Sequence, residues 1–387
     1  MSTRLTLAII CLTLAACRQV PAGGASPSDL APVASTQAAS TLTPSPIPPT
    51  ATPSPAIVPT ATLTTQQAIY PHTIEGLRAH DYQSGEVTVI GVIVETKDFV
   101  SYLIEYPSDG LNIRGVMQIP TRAAPPYPVI VMNHGYFARS VFRSGDGTDR
   151  AAEYLNTRGY LTIAPDYRSW GTSDSGPSLF YSGLAIDVVN LLKAIPSIPQ
   201  ADATRVGMWG HSMGGAVTMK VLAIVGDNPA LKDVNVRAAV LYSTVSADQA
   251  DVLERWGPGC YGDVVDGESQ ASCNSSDVIP LDLPPEIQIA YYKVAHDANA
   301  LRLISPFYHL NYVTAPVQIH YGELDGEEFS GTPPEWSIKL FDAFLEAGKS
   351  VKLIAYEGER HSFVNEAWYS FMDSVAKFYN QTVKNIP

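Results

Sequence analysis

Arg205-Val206-Gly207-Met208-Trp209-Gly210-His211-Ser212-Met213-Gly214-Gly215 is a short apolar strand pattern running straight into Gly-x-Ser-x-Gly. A helix-compatible run, residues 216–225, follows it. A strand that turns this sharply into a helix forces the central serine into a strained backbone conformation, and the flanking glycines remove Cβ atoms that would collide. Its hydroxyl then stands at the end of a sheet, facing the free N–H groups of the first helical turn. Ser212 is thereby the candidate nucleophile, provided that partners exist elsewhere in the chain.

Around this stretch, strand and helix patterns alternate. Residues 86–94, 100–106 and 111–119 read as strands, the last two flanking Pro107-Ser108-Asp109-Gly110 as a turn. Residues 129–132 form a short, wholly apolar run, as a buried parallel strand would. Thereafter helices are expected over 150–157, 183–194, 216–225, 334–347 and 367–379. Strands are expected over 160–164, 206–209, 236–242, 317–321 and 351–356. Alternation of this kind gives an α/β fold with a mostly parallel sheet and helices on both faces. About seventy residues between the strands at 236–242 and 317–321 break the rhythm. We read about 247–304 as an inserted cap with a helix over 285–303, lying over the carboxyl ends of the strands.

The ends of the chain point to export. Arg4 precedes a 12-residue apolar core, Leu-Thr-Leu-Ala-Ile-Ile-Cys-Leu-Thr-Leu-Ala-Ala, which has the length of a signal peptide rather than a membrane span. It ends in Leu14-Ala15-Ala16-Cys17, which resembles the lipobox of bacterial lipoproteins. The expected organisation is a signal peptide over 1–16, lipidation at Cys17, a disordered linker over 17–66 and an α/β domain with its cap insertion over 67–387. The linker carries ten of the 30 prolines and a single charge, Asp29, between residues 21 and 66. The expected location is the extracytoplasmic face of a bacterial membrane, held by acyl chains. The net charge of −13 and the lack of a basic cluster argue against nucleic acid as a partner. Cys260 and Cys273 remain in the exported portion and read as a disulfide, worth about 3 kcal/mol for so short a loop.

A serine nucleophile needs a base, and the base needs a third group to fix its tautomer. Among eight histidines, His361 stands in a glycine-containing loop just after the last strand, in Gly358-Glu359-Arg360-His361-Ser362-Phe363. Asp325 follows the strand at 317–321 in Gly322-Glu323-Leu324-Asp325, with Glu323 and Asp248 as rivals for the acid. The chain order Ser212, Asp325, His361 suits a nucleophile on a strand–helix elbow. Oxyanion donors are expected at the backbone N–H groups of Met213 and Tyr136, the latter in Asn133-His134-Gly135-Tyr136. His134 reads as a packing residue of that turn. No His/carboxylate spacing suits a metal, and neither metal nor cofactor is expected.

Asn133-His134-Gly135, Pro165-Asp166-Tyr167-Arg168, Gly210-His211-Ser212-Met213-Gly214-Gly215, Ser305-Pro306, Gly322-Glu323-Leu324-Asp325 and Gly358 to Phe363 occur in this order over about residues 100–380. Together they resemble the α/β-hydrolase superfamily, and within it the catalytic domain of the prolyl oligopeptidase family and its dienelactone hydrolase relatives. The resemblance implies a cofactor-independent serine hydrolase acting on a small ester or peptide, as peptidase or carboxylesterase, with Ser212, Asp325 and His361 as nucleophile, acid and base. The chain departs from the family in three ways. Residues 67–100 are too few for a propeller, Tyr136 replaces a second glycine, and the Cys260/Cys273 insertion is not general. Tyr261, Tyr291 and Tyr292 in that insertion suggest an apolar acyl pocket. The alternative is a surface-binding lipoprotein that retains the fold without chemistry.

Overall fold

The computed structural model describes residues 65–257 and 293–385, together with the backbone of two short strands between them. The strands in chain order are β1 (Thr88–Glu95), β2 (Phe99–Ser108), β3 (Leu111–Pro120), β4 (Tyr127–Asn133), β5 (Leu161–Pro165), β6 (Ala201–His211) and β7 (Val236–Tyr242). They are followed by the two-residue strands β8 (Val264–Val265) and β9 (Glu268–Ser269), then β10 (Val317–Gly322) and β11 (Val351–Tyr356). The helices are α1 (Thr65–Ile69), α2 (Ile74–Arg78), α3 (Asp149–Asn156), α4 (Ser182–Ala194), α5 (Met213–Val225), α6 (Gln249–Trp256), α7 (Ala298–Ile304), α8 (Pro334–Glu346) and α9 (Asn365–Tyr379).

Nine strands form one sheet in the order β1-β2-β3-β5-β4-β6-β7-β10-β11, antiparallel from β1 to β5 and parallel from β5 to β11. The parallel strands are covered on both faces, which explains their unbroken apolar runs: every residue of β4, and every one of β5, is buried. Alternate residues of one strand feed different cores. Val129 and Val131 join the cluster with α4, α5 and α8, whereas Ile130 and Met132 join the one with α3 and α9. The outermost strand, β1, is exposed along nearly its whole length, and two register shifts against β2 interrupt its ladder.

Three details differ from the sequence reading. The β2–β3 turn is Asp109-Gly110 alone, both with positive φ (51° and 79°), which is the two-residue geometry an Asp-Gly pair favours. Pro107 and Ser108 belong to β2 and pair with Asn112 and Leu111. The helix expected over 285–303 is interrupted within its described part. Asp297 accepts hydrogen bonds from the N–H groups of Asn299 (2.9 Å) and Ala300 (3.2 Å), so α7 begins after it. Asp248 likewise caps α6, a helix at the foot of the insertion that periodicity did not single out.

The topology also fixes where a site can form. From β4 the chain passes to β5 on one side, then returns across β4 to β6 on the other. Strand ends that diverge in this way leave a crevice at their carboxyl termini. There Asn133, last in β4, pairs with Gly210 near the end of β6, two residues before the β6–α5 turn begins at Ser212.

Candidate active site

Ser212 occupies the turn between β6 and α5 with φ 54° and ψ −121°. For a residue with a Cβ this costs roughly 1–3 kcal/mol, and it persists only where the surroundings over-determine it. They do so here: Ser212 N–H donates to Tyr242 O at 3.0 Å, and Ser212 O accepts from Gly215 N (2.9 Å) and Val245 N (3.0 Å). The two motif glycines are demanded by space. A Cβ on Gly210 would stand 2.3 Å from Gly214 O, and one on Gly214 would stand 2.0 Å from Asn133 O. The strand, the turn and the helix can therefore close only around glycine.

The oxyanion-loop candidates Met213 and Tyr136 lie on the turn into α5 and on the loop after β4. A Cβ on Gly135 would lie 3.2 Å from Ser212 Cβ, so the loop after β4 passes directly against the serine. Met213 opens α5, with its N–H among those the helix leaves unpaired. His134 packs beneath, between Phe142 (ring centroids 4.5 Å apart) and Tyr167 (4.4 Å). Burial lowers its pKa to about 4, in keeping with a packing role.

The structure brings His361 and Asp325 together from the loops after β11 and β10. His361 Nδ1 lies 3.1 Å from Asp325 Oδ1 and 3.0 Å from Oδ2. Asp325 is only 3% exposed. Thr332 donates its backbone N–H to Oδ1 at 2.8 Å, and its hydroxyl lies 2.7 Å from Oδ2 and 3.0 Å from Ser243 O. Burial pushes the Asp325 carboxyl up, but the His361 and Thr332 hydrogen bonds and the His361 charge outweigh it and hold it below the usual carboxylate range. The rival acids are otherwise engaged or exposed: Asp248 bonds Lys339 (3.0 Å) and Tyr308 (2.8 Å), and Glu323 is exposed.

Sequence reading missed what holds the His361 loop. His211, the residue before the serine, donates from Nε2 to His361 O at 3.1 Å while stacking on Tyr242 at 4.4 Å. Burial, followed by the nearby His361 charge, lowers its pKa to about 3, so it is a neutral donor. Tyr242 in turn accepts the Phe363 N–H at 2.5 Å. The base loop is thus pinned on both sides of Ser362 by residues adjoining the nucleophile in space. Only the identity of His211 within the motif hinted at this. Among the described residues no hydrogen bond reaches Ser212 Oγ. Cys17, Cys260, Cys273, Tyr261, Tyr291 and Tyr292 lie outside the described residues.

The model of the alpha/beta hydrolase family matches residues 129–375, more than half of the chain. Among curated proteins, the lysophosphatidylserine lipase ABHD12 of Xenopus tropicalis is 33% identical over 96 residues, covering 25% of this chain and 23% of that protein. Its Danio rerio counterpart is 25% identical over 250 residues, covering 62% of this chain and 54% of that protein. The chain thus spans from about a quarter to about half the length of these relatives. Among solved structures, the rice cell wall degrading esterase LipA from Xanthomonas oryzae aligns with a TM-score of 0.55 at 16% identity, covering 78% of this chain and 99% of that one. Acetyl xylan esterase 1 from Thermoanaerobacterium aligns with a TM-score of 0.53 at 14% identity (81% and 93% covered). A puromycin-hydrolyzing peptidase from Mycobacterium tuberculosis gives 0.52 at 20% identity (76% and 41% covered). At such identities these structures speak for the fold alone, and the family match together with the sheet order carries the assignment: the chain belongs to the alpha/beta hydrolase family.

Proposed function

We propose that this protein is a serine hydrolase that cleaves carboxylic esters through an acyl-enzyme, with Ser212, His361 and Asp325 as its triad. What supports the reading is a strained serine at the β6–α5 turn, a hydrogen-bonded pair of part-buried His361 and buried Asp325 after β11 and β10, and the bond from His211, next to the serine, to His361 O. In the reaction, His361 Nε2 takes the Ser212 proton as Oγ attacks the ester carbonyl. Asp325 holds Nδ1–H and stabilises the imidazolium without itself being protonated. The N–H groups of Met213 and Tyr136 receive the oxyanion, each worth about 3 kcal/mol. His361 then returns the proton to the departing alkoxide, and a water activated the same way releases the acid. The Ser212–His361 hydrogen bond forms as substrate enters, since such contacts are commonly loose in unliganded enzymes.

An ester rather than a peptide is favoured by the similarity to lysophosphatidylserine lipases and by the exposed apolar side chains of Val141 and Tyr136 on the loop that follows β4. The N-terminal segment fits the reading as a lipid-anchored spacer: signal peptide over 1–16, acylated Cys17, linker to 66, hydrolase domain over 67–387. A fluorophosphonate should label the protein at Ser212, and Ser212→Ala should abolish turnover of p-nitrophenyl esters, with aminoacyl-anilides turned over far less by the wild type. Full ester turnover in Ser212→Ala would refute the triad; a wild type inert to every ester and anilide would favour the non-catalytic binding protein.

A further inference from the structure

Asp325 and the residue that supports it, Thr332, are separated by the loop 326–331, and most of that loop is in solvent. Glu327, Glu328, Phe329 and Ser330 are exposed, Phe329 to 58%. The loop nevertheless has no slack where it matters. A Cβ on Gly331 would stand 2.7 Å from Asp325 Oδ1, so any displacement there carries Thr332 and both of its hydrogen bonds away from the carboxylate. Within the loop, Gly331 N–H donates to Glu328 O at 3.0 Å, a single bond that does not fix it against the body of the protein.

Beside an exposed ion pair between Glu327 and Arg360 at 2.6 Å, the loop is held by the last turn of α6. Arg255 Nη2 donates to Gly326 O at 3.0 Å and to Glu328 O at 2.7 Å. Trp256 Nε1–H donates to Phe329 O at 2.8 Å, and its ring meets Trp336 of α8 edge-on at 5.3 Å. Three carbonyls of the acid loop are therefore taken up by two consecutive residues. The helix supplying them is itself anchored, because Lys339 of α8 bonds Asp248 (3.0 Å) and Asp251 (2.8 Å) at its other end. An immobile donor array on an exposed loop is what a catalytic acid requires, since small misplacements of a charged partner are expensive.

The geometry points to Arg255 and Trp256 as positioning residues for the triad: they close the loop 326–331 so that Thr332 and Asp325 hold His361. This rests on the triad reading. Arg255→Met should lower kcat for a p-nitrophenyl ester about tenfold with KM changed less than about twofold, the pattern of an interaction felt mainly in the transition state. Arg255→Lys should recover most of the loss. Trp256→Phe keeps an aromatic ring and deletes the N–H, and should show the same signs more weakly; it decides the matter if Arg255→Met does not fold. A folded variant with unchanged kcat, or a loss confined to KM, would overturn the assignment of these residues. Ser212→Ala run alongside separates the cases. If it is inactive while the α6 variants behave as wild type, only the clamp is wrong; if it is active, the triad falls and the clamp with it.

Discussion

Replacing Thr332 by Val keeps the shape of the side chain and the backbone N–H at 2.8 Å from Asp325 Oδ1, and removes only the hydroxyl 2.7 Å from Oδ2. Asp325 is 3% exposed, so water does not replace the missing donor. A hydrogen bond to a charged buried group contributes about 1.5–3 kcal/mol, which sets the expected loss of stability near neutral pH. The same bond helps to hold the Asp325 pKa below its ordinary value, which fixes the pH signature. A carboxyl whose folded pKa is depressed contributes stability that is fully present above its unfolded pKa, about 4, and is lost as pH falls through the folded value. The gap between wild type and Thr332→Val in urea unfolding should therefore be widest from pH 5 to 8 and narrow below about pH 4. Activity should fall with it, by roughly tenfold in kcat/KM for each 1.4 kcal/mol by which the transition state loses support. A stability gap that stays constant down to pH 3, or wild-type turnover in the variant, would refute the reasoning that this hydroxyl serves the ionised acid.

Two further expectations concern the scaffold. Arg78 at the end of α2 donates to Ala223, Ile224, Gly226 and Asp227 carbonyls at 2.7–3.0 Å, closing the C-terminus of the helix that starts at the nucleophile. Arg78→Ala should lower the urea midpoint by an amount corresponding to about 2–3 kcal/mol with an unchanged m-value; a midpoint within error of wild type would show that the N-terminal helices are not needed to cap α5. Lys220 lies fully buried in the middle of α5, donates to Ile304 O at 2.6 Å, and is lowered by burial to about 7. Between pH 7 and 10 the unfolded state holds a proton that the folded state has released, so stability should climb with pH. Lys220→Met should flatten that climb, as followed by urea unfolding at pH 7, 8 and 9; an unaltered slope would place its origin elsewhere.

Much of the site could be read in one dimension because its demands are local. The Gly210–Gly214 spacing follows from collisions within a single turn, and the apolar run of β4 follows from burial on both faces. Asp325 and His361 were legible as loop residues after strands, since a strand's carboxyl end is where this topology gathers its chemistry. What escaped notice acts across the fold. His211 looked like turn filler because its partner, His361 O, is 150 residues away, and Thr332 carried no signal because its role depends on how the loop returns to Asp325. The interruption at Asp297 was hidden by helical periodicity, which a single capping side chain overrides.

The alternation of strands and helices, the strained turn at Ser212 and the order of the three candidate residues are legible along the chain, because each is set by neighbours within a few positions. Which carboxylate meets His361, what pins the His361 loop, and which helix holds the loop after Asp325 emerge only from the folded chain. Those contacts join β6, β7, β10 and α6, and their distances exist only once the sheet has been assembled and its strand ends brought side by side.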